Sequence, residues 1–114
     1  MEQKRTIIHF RDYFPNFYQS LELGARRKVA YVLDLLKTEV RLSEKFVKFI
    51  KDGLFELRAE YNGNIYRVFF IFDNGNIVVL FNGFQKKSQK TPSDEIKRAL
   101  KLKEEYMLWK QNKK

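Results

Sequence analysis

The sequence predicts an α+β domain in which an antiparallel sheet of about four strands carries an N-terminal helical hairpin and a C-terminal helix. Three observations predict this class: apolar residues recur at helical spacing near both ends, three strand-like runs follow one another in the middle, and Asn-Gly joins those runs. No Pro-, Gly- or Ser-rich linker interrupts the 114 residues, so we expect residues 1–114 to form one domain.

The first half of the chain is predicted to contain one strand and two helices. Residues 4–10 include consecutive β-branched side chains and suit a short strand. Apolar residues at three- and four-residue intervals indicate helices over residues 12–21 and 25–37, with Gly24 breaking the chain between them. Residues 42–51 fit either a short helix or a loop.

The middle of the chain reads as an antiparallel meander. The runs Leu54 to Tyr61, Asn64 to Phe72 and Asn76 to Phe84 are joined by Asn62-Gly63 and Asn74-Gly75. Both dipeptides suit two-residue hairpin turns, in which two consecutive residues need positive φ.

The sequence predicts where the last helix begins. Thr91, Pro92 and Asp94 resemble an N-cap, a first-turn proline and an acidic third residue, and the helix is predicted to end near Trp109.

The two turns predict which side chains face one another across the sheet. A two-residue turn at Asn62-Gly63 places Arg58 opposite Arg67, and the same rule at Asn74-Gly75 places Asn82 on the other side of Arg67. Strand alternation predicts an exposed face for this row, shared with Glu56, Glu60, Ile65, Phe69 and Phe84. The opposite face is the predicted core side, with Phe55, Leu57, Ala59, Tyr66, Val68, Phe70, Ile77, Val79 and Phe81.

Two facing arginines on an exposed surface suggest an anion site. Like charges directly across a sheet repel, and phosphate is a natural partner because guanidinium groups bind it through paired hydrogen bonds. The alternative is that Glu56 and Glu60 neutralise the arginines as ordinary surface ion pairs. The basic segment that follows, with Lys86, Lys87 and Lys90 behind the aromatic Phe84, suits single-stranded nucleic acid.

The composition agrees with a polyanionic partner and excludes several site classes. There are 23 Lys and Arg against 14 Asp and Glu, a formal charge of +9, although lysine-rich surfaces also serve solubility alone. Without cysteine there are no disulfides, thiolate zinc ligands or thiol nucleophiles, and His9 is the only histidine. We expect no metal and no cofactor. Neither a signal peptide nor a membrane span is recognisable, so a cytoplasmic protein is expected.

Several segments resemble one known group of proteins. These are residues 53–58 (Gly-Leu-Phe-Glu-Leu-Arg), 66–70 (Tyr-Arg-Val-Phe-Phe) and 82–87 (Asn-Gly-Phe-Gln-Lys-Lys), followed by Lys90, Thr91-Pro92 and Glu95-Ile96. In these segments and in the order of its elements the chain resembles the phage-derived HigB branch of the RelE/ParE toxin superfamily, and so implies a RelE-like fold. The resemblance implies a toxin of a type II toxin–antitoxin pair that cuts mRNA in the ribosomal A site without a cofactor. It also implies a helix-turn-helix antitoxin encoded beside it.

The resemblance also implies roles for individual residues. Arg58 and Arg67 would stabilise charge on the phosphate attacked by the RNA 2′-hydroxyl, and Lys86, Lys87 and Lys90 would bind RNA or ribosome. Relatives often carry histidine where this chain has Asn82, and an amide cannot act as an acid or base near neutral pH. Proton transfer would then fall to Glu60, to Glu56 or to a lysine with a lowered pKa.

Two other functions stay open at this point. The same superfamily includes ParE-like poisons of DNA gyrase, and fold alone does not separate the two targets. A non-catalytic RNA- or protein-binding module, in which the arginines only anchor phosphate, is the second.

Overall fold

The computed structural model describes residues 4–86 and 92–113 as three helices and five strands, apart from the side chain of Lys86. In chain order these are β1 (Thr6–His9), α1 (Tyr13–Ser20), α2 (Leu23–Thr38), β2 (Val47–Lys51), β3 (Leu54–Tyr61), β4 (Asn64–Asp73), β5 (Ile77–Lys86) and α3 (Ser93–Asn112). The predicted α+β class and the predicted helical hairpin and C-terminal helix are confirmed. None of the helices in these residues is long and apolar enough to cross a membrane.

The sheet has five strands and is mixed, so the prediction of about four antiparallel strands was wrong. The strand order is β1-β5-β4-β3-β2, with β1 parallel to β5 and the other pairs antiparallel. Since β2, β3, β4 and β5 alternate in direction, this parallel pairing means that β2 runs opposite to β1. The additional strand is β2, which lies within residues 42–51.

Helices cover both faces of the sheet. The buried face of α2 (Ala25, Val29, Val32 and Leu36) packs in one apolar cluster with sheet residues that include Leu57 and Val68. On the other face, α3 contributes Ala99, Leu102 and Tyr106 to a second cluster with Phe69, Ile71 and Phe81. The face that carries the arginine row is therefore partly covered by α3, and the prediction that this whole face is exposed was wrong.

The pairing of β4 with β5 departs from the predicted register by one residue next to the turn and by two residues at Arg67. Asp73 pairs with Ile77, so the turn contains residues 74–76 rather than two residues. A β-bulge between Val68 and Phe70 adds another residue on β5, and Arg67 consequently faces Phe84 instead of Asn82. The shift also changes the core: Val78 and Leu80 point toward α2, whereas Val79 and Phe81 point toward α3.

Two helix starts also differ from the prediction. Gly24 lies in the first turn of α2, where a side chain would collide with the ring of Tyr61, so close packing explains this glycine better than a chain break. Pro92 is the N-cap of α3, with Asp94 and Glu95 in the first turn, and the predicted cap Thr91 lies outside the described residues. Acidic side chains at this end are favourable because they face the positive pole of the helix dipole.

Candidate functional site

The predicted pairing of Arg58 with Arg67 is confirmed. Asn62 and Gly63 both adopt positive φ, 52° and 76°, and the turn they form holds β3 and β4 in the register that places the two arginines opposite one another. Both arginines therefore lie on the face of the sheet against which α3 packs.

A buried carboxylate lies between the two guanidinium groups. Glu56 is 0% exposed, and its Oε1 accepts a hydrogen bond of 2.7 Å from Nε of Arg58. Its Oε2 is 3.9 Å from Nη1 of Arg67, within ion-pair distance. The three side chains form what we call the Arg-Glu-Arg cluster, which carries a formal charge of +1. Glu56 thus offsets the arginine repulsion from inside the protein and not as a surface ion pair.

The two arginines differ in their access to solvent. The Arg67 side chain is 0% exposed, so its predicted exposure was wrong, whereas 16% of the Arg58 side chain reaches the surface. Burial lowers the pKa of Arg67 from its ordinary value, Glu56 opposes this shift, and the like charge of Arg58 adds to it. A guanidinium nevertheless stays protonated in proteins, so Arg67 remains a cation. Arg58 is the arginine of this cluster that an anion can reach.

Phe84 packs above Arg67. Its ring centroid lies 6.0 Å from the Arg67 guanidinium and 5.6 Å from the ring of Phe69. The ring is half-buried and combines a cation–π contact with aromatic packing. Phe84 therefore helps to hold Arg67 in place.

Asn82 lies beneath the start of α3, not in the row with the arginines. It is 2% exposed, and its Nδ2 donates to Oε1 of Glu95 at 3.1 Å. Within the described part of the chain, nothing donates a hydrogen bond to its Oδ1. The bulge on β5 brings it to this position.

The remaining predicted residues are placed only in part. Glu60 is exposed and shares the face of Arg58, two residues farther along β3. Lys86 ends β5 opposite Ile65. The Lys86 side chain, Lys87 and Lys90 lie outside the described residues.

One basic residue beside the cluster was missed by the sequence analysis. Lys48 in β2 pairs with Glu56 in β3, and its side chain is exposed. The Asp52-Gly53 dipeptide, both of whose residues have positive φ, was a signal for a hairpin between β2 and β3.

The residues described contain no group of three or more His, Cys, Asp or Glu side chains that could hold a metal ion. His9 is exposed on β1, with Nδ1 2.8 Å from the carbonyl oxygen of Arg11, in keeping with a surface role.

Comparison with known proteins identifies the family. The chain is similar in fold to a chain of the crystal structure of the archaeal RelE–RelB complex from Pyrococcus horikoshii OT3, with a TM-score of 0.54 and 18% identity over 76% of this chain and 99% of that chain. No curated protein matches the sequence significantly. Residues 16–104, more than three quarters of the chain, match the family described as phage derived protein Gp49-like (DUF891). The chain therefore belongs to the Gp49-like family of phage-derived proteins, a RelE-type toxin family.

Proposed function

We propose that this protein is the toxin of a type II toxin–antitoxin pair and that it acts in the cytoplasm as an endoribonuclease on mRNA in the ribosomal A site. Membership of a RelE-type toxin family supports the toxin role. The Arg-Glu-Arg cluster carries the proposal of nuclease activity, because it presents a fixed and partly exposed guanidinium on a sheet face.

The proposed reaction needs neither a metal nor a cofactor. The RNA 2′-oxygen attacks the adjacent phosphorus while the bond from phosphorus to the 5′-oxygen breaks. The products are a 2′,3′-cyclic phosphate and a 5′-hydroxyl, whose oxygen takes up a proton from water. Negative charge grows on the phosphoryl oxygens as attack proceeds, and a guanidinium already in position stabilises that charge without reorganising.

Arg58 and Arg67 take different parts in this proposal. Arg58 contacts the phosphate, since part of its side chain is exposed and its Nε is fixed by Glu56. Arg67 is a positioning residue, because it is buried and acts through Glu56 and through its positive field. The residual charge of +1 favours an anion at this point of the surface.

Glu60 is the proposed base that removes the 2′-hydroxyl proton. It is exposed and on the same face as Arg58, whereas Glu56 is buried between two cations. The amide of Asn82 cannot take this part. We assign Asn82 to holding the start of α3 through Glu95, and Phe84 to supporting Arg67 while its exposed part meets a base.

The remaining partners follow from charge and from family. Lys86, Lys87 and Lys90 are proposed contacts to RNA or ribosome. The similar archaeal structure is a RelE–RelB complex, and this supports an antitoxin as partner of the present chain as well. A helix-turn-helix protein encoded by the neighbouring reading frame should rescue growth when both are expressed.

Induced expression in bacteria tests the function. The native protein should stop incorporation of labelled amino acids, and primer extension should show cut mRNA, while Arg58→Ala should lower cleavage at least a hundredfold. Arg27→Ala, which removes an exposed arginine from α2 on the far side of the sheet, is the matched control and should remain toxic. Damaged DNA with intact mRNA would instead identify a gyrase poison, and RNA binding without cleavage would identify a binding module.

A further inference from the structure

We propose that Lys48 of β2 is a phosphate-binding residue for the strand of RNA that crosses the Arg-Glu-Arg cluster. The inference rests on the proposed function and extends its binding site to an additional strand. It starts from the pairing of β2 with β3, which places Lys48 directly opposite Glu56.

Lys48 lies on the face of the sheet that carries the Arg-Glu-Arg cluster. Directly opposed residues of an antiparallel pair point to the same side of the sheet, so Lys48 shares the side of Glu56 and Arg58. The register is fixed on both sides of this pair. The N–H of Arg58 donates to the carbonyl oxygen of Phe46 at 2.7 Å, and Phe49 pairs with Phe55.

Lys48 is open to solvent, unlike its cross-strand partner Glu56. Glu56 is fully buried and its two carboxylate oxygens face Arg58 and Arg67, whereas the Lys48 side chain is exposed at the rim of the cluster. Its ammonium group can therefore meet a ligand on the surface. The long aliphatic stem of lysine lets the charged end follow a flexible backbone.

The spacing between Lys48 and Arg58 suits a ligand with more than one phosphate. Lys48 and Arg58 are diagonal neighbours on adjacent strands, a relation that separates Cβ atoms by about 7–8 Å or somewhat less. Two long cationic side chains at that separation can bind successive phosphates of one strand, whereas a single small anion would occupy only one of them. The arrangement thus fits an extended polyanion.

Salt-dependent binding tests this role. The probe is a single-stranded 2′-O-methyl RNA oligonucleotide, which lacks the attacking hydroxyl and cannot be cleaved. On single strands each phosphate contact contributes about 0.7 to the slope of log affinity against log salt concentration. Lys48→Gln should lower that slope by about 0.7, and Lys48→Arg should restore it.

Lys28→Gln is the matched control, since it removes the same charge from α2, on the opposite side of the sheet. Its slope should equal that of the native protein. Equal slopes for Lys48→Gln and the native protein would overturn the role of Lys48 alone. A native protein that binds no RNA even at the lowest salt concentration would overturn this inference, whereas the proposed function would be overturned only if mRNA stayed intact after induced expression.

Discussion

At the residue scale, the most consequential feature is that Glu56 and Arg67 are fully buried charges. Removing two charges from water costs several kcal/mol per ion, and only close pairing offsets that cost. Glu56 meets this requirement because it contacts both arginines. The geometry of the candidate site is therefore tied to the stability of the protein.

Arg67→Ala is expected to lower the free energy of unfolding by about 3 kcal/mol, because it leaves Glu56 with one fewer cation and opens space beneath Phe84. Urea denaturation monitored by circular dichroism measures this difference. Arg27→Ala should change the same quantity by less than about 0.5 kcal/mol, because Arg27 is exposed on α2. Equal stability of the native protein and Arg67→Ala would show that the buried ion pair contributes nothing.

A second residue-scale prediction concerns pH. Hydrogen bonds from Lys110 and then from Tyr106 lower the pKa of Asp73, while burial opposes them. Because the folded pKa lies below the unfolded one, this stabilisation is complete above the unfolded pKa and is lost as pH falls through the folded pKa. In Asp73→Asn the carboxylate is absent, so the free energy of unfolding should lose less as the pH falls than it does in the native protein. Identical acid titrations of the two proteins would contradict it.

Tyr106, which donates a hydrogen bond to Asp73, makes stability depend on pH in the opposite direction, at alkaline pH. Burial, and then the hydrogen bond to Asp73, raises the pKa of Tyr106 to about 12. Its contribution is therefore complete below the ordinary value of 10 and is lost as pH rises through about 12. Tyr106→Phe should remove this alkaline component, which thermal unfolding between pH 9 and pH 12 would measure.

At the element scale, β5 can pack closely against α1 because Gly83 has no side chain. A Cβ atom on Gly83 would lie 2.5 Å from the ring of Phe17. We expect Gly83→Ala to displace α1 and to lower the free energy of unfolding by about 1–3 kcal/mol. Gln85→Ala, an exposed position on the same strand, is the control for thermal unfolding. If both variants melt at the native temperature, the contact is not tight.

The two Asn-Gly turns show where strand register can be predicted from the sequence and where it cannot. Asn62-Gly63 was sufficient to place Arg58 opposite Arg67, because a two-residue turn leaves one possible register. Asn74-Gly75 was not, since a longer loop and a bulge, neither of which has a clear sequence signature, shift β5 by two residues. A bulge at Ile50 shifts the register of β2 in the same way. The turn residues Asp52-Gly53 alone would have paired Lys48 with Leu57 and so placed it on the other face of the sheet.

At the scale of the whole molecule, burial could not be read from strand alternation. Strand alternation assigns Arg67 and Phe69 to one face of β4 but does not show whether that face is covered, and α3 packs on that side of the sheet. Whether α3 covers this face depends on the side of the sheet to which the chain turns after β5. Strand alternation does not determine that side. Composition and turn dipeptides therefore predicted the fold class and one pair of site residues, but not the depth at which the pair lies.

Since both apolar clusters share one sheet, the molecule should unfold as a unit. Leu102→Ala in the α3 cluster should cost about 3 kcal/mol and shift the entire transition. Trp109, the only tryptophan, lies on α3, so its fluorescence reports this helix while far-ultraviolet circular dichroism reports the whole fold. Coincident transitions are expected. Separate transitions would mean that α3 detaches before the sheet melts.

The parallel pairing of β1 with β5 has a consequence for biosynthesis. Residues 6–9 find their partners only at residues 77–80, so a ribosome that makes this chain carries an unfinished sheet until most of the message has been read. Helix α3, which packs on the face of the sheet that carries Arg67, emerges later still. A nascent copy thus lacks the completed candidate site, and a truncated translation product is expected to be harmless to the cell that makes it.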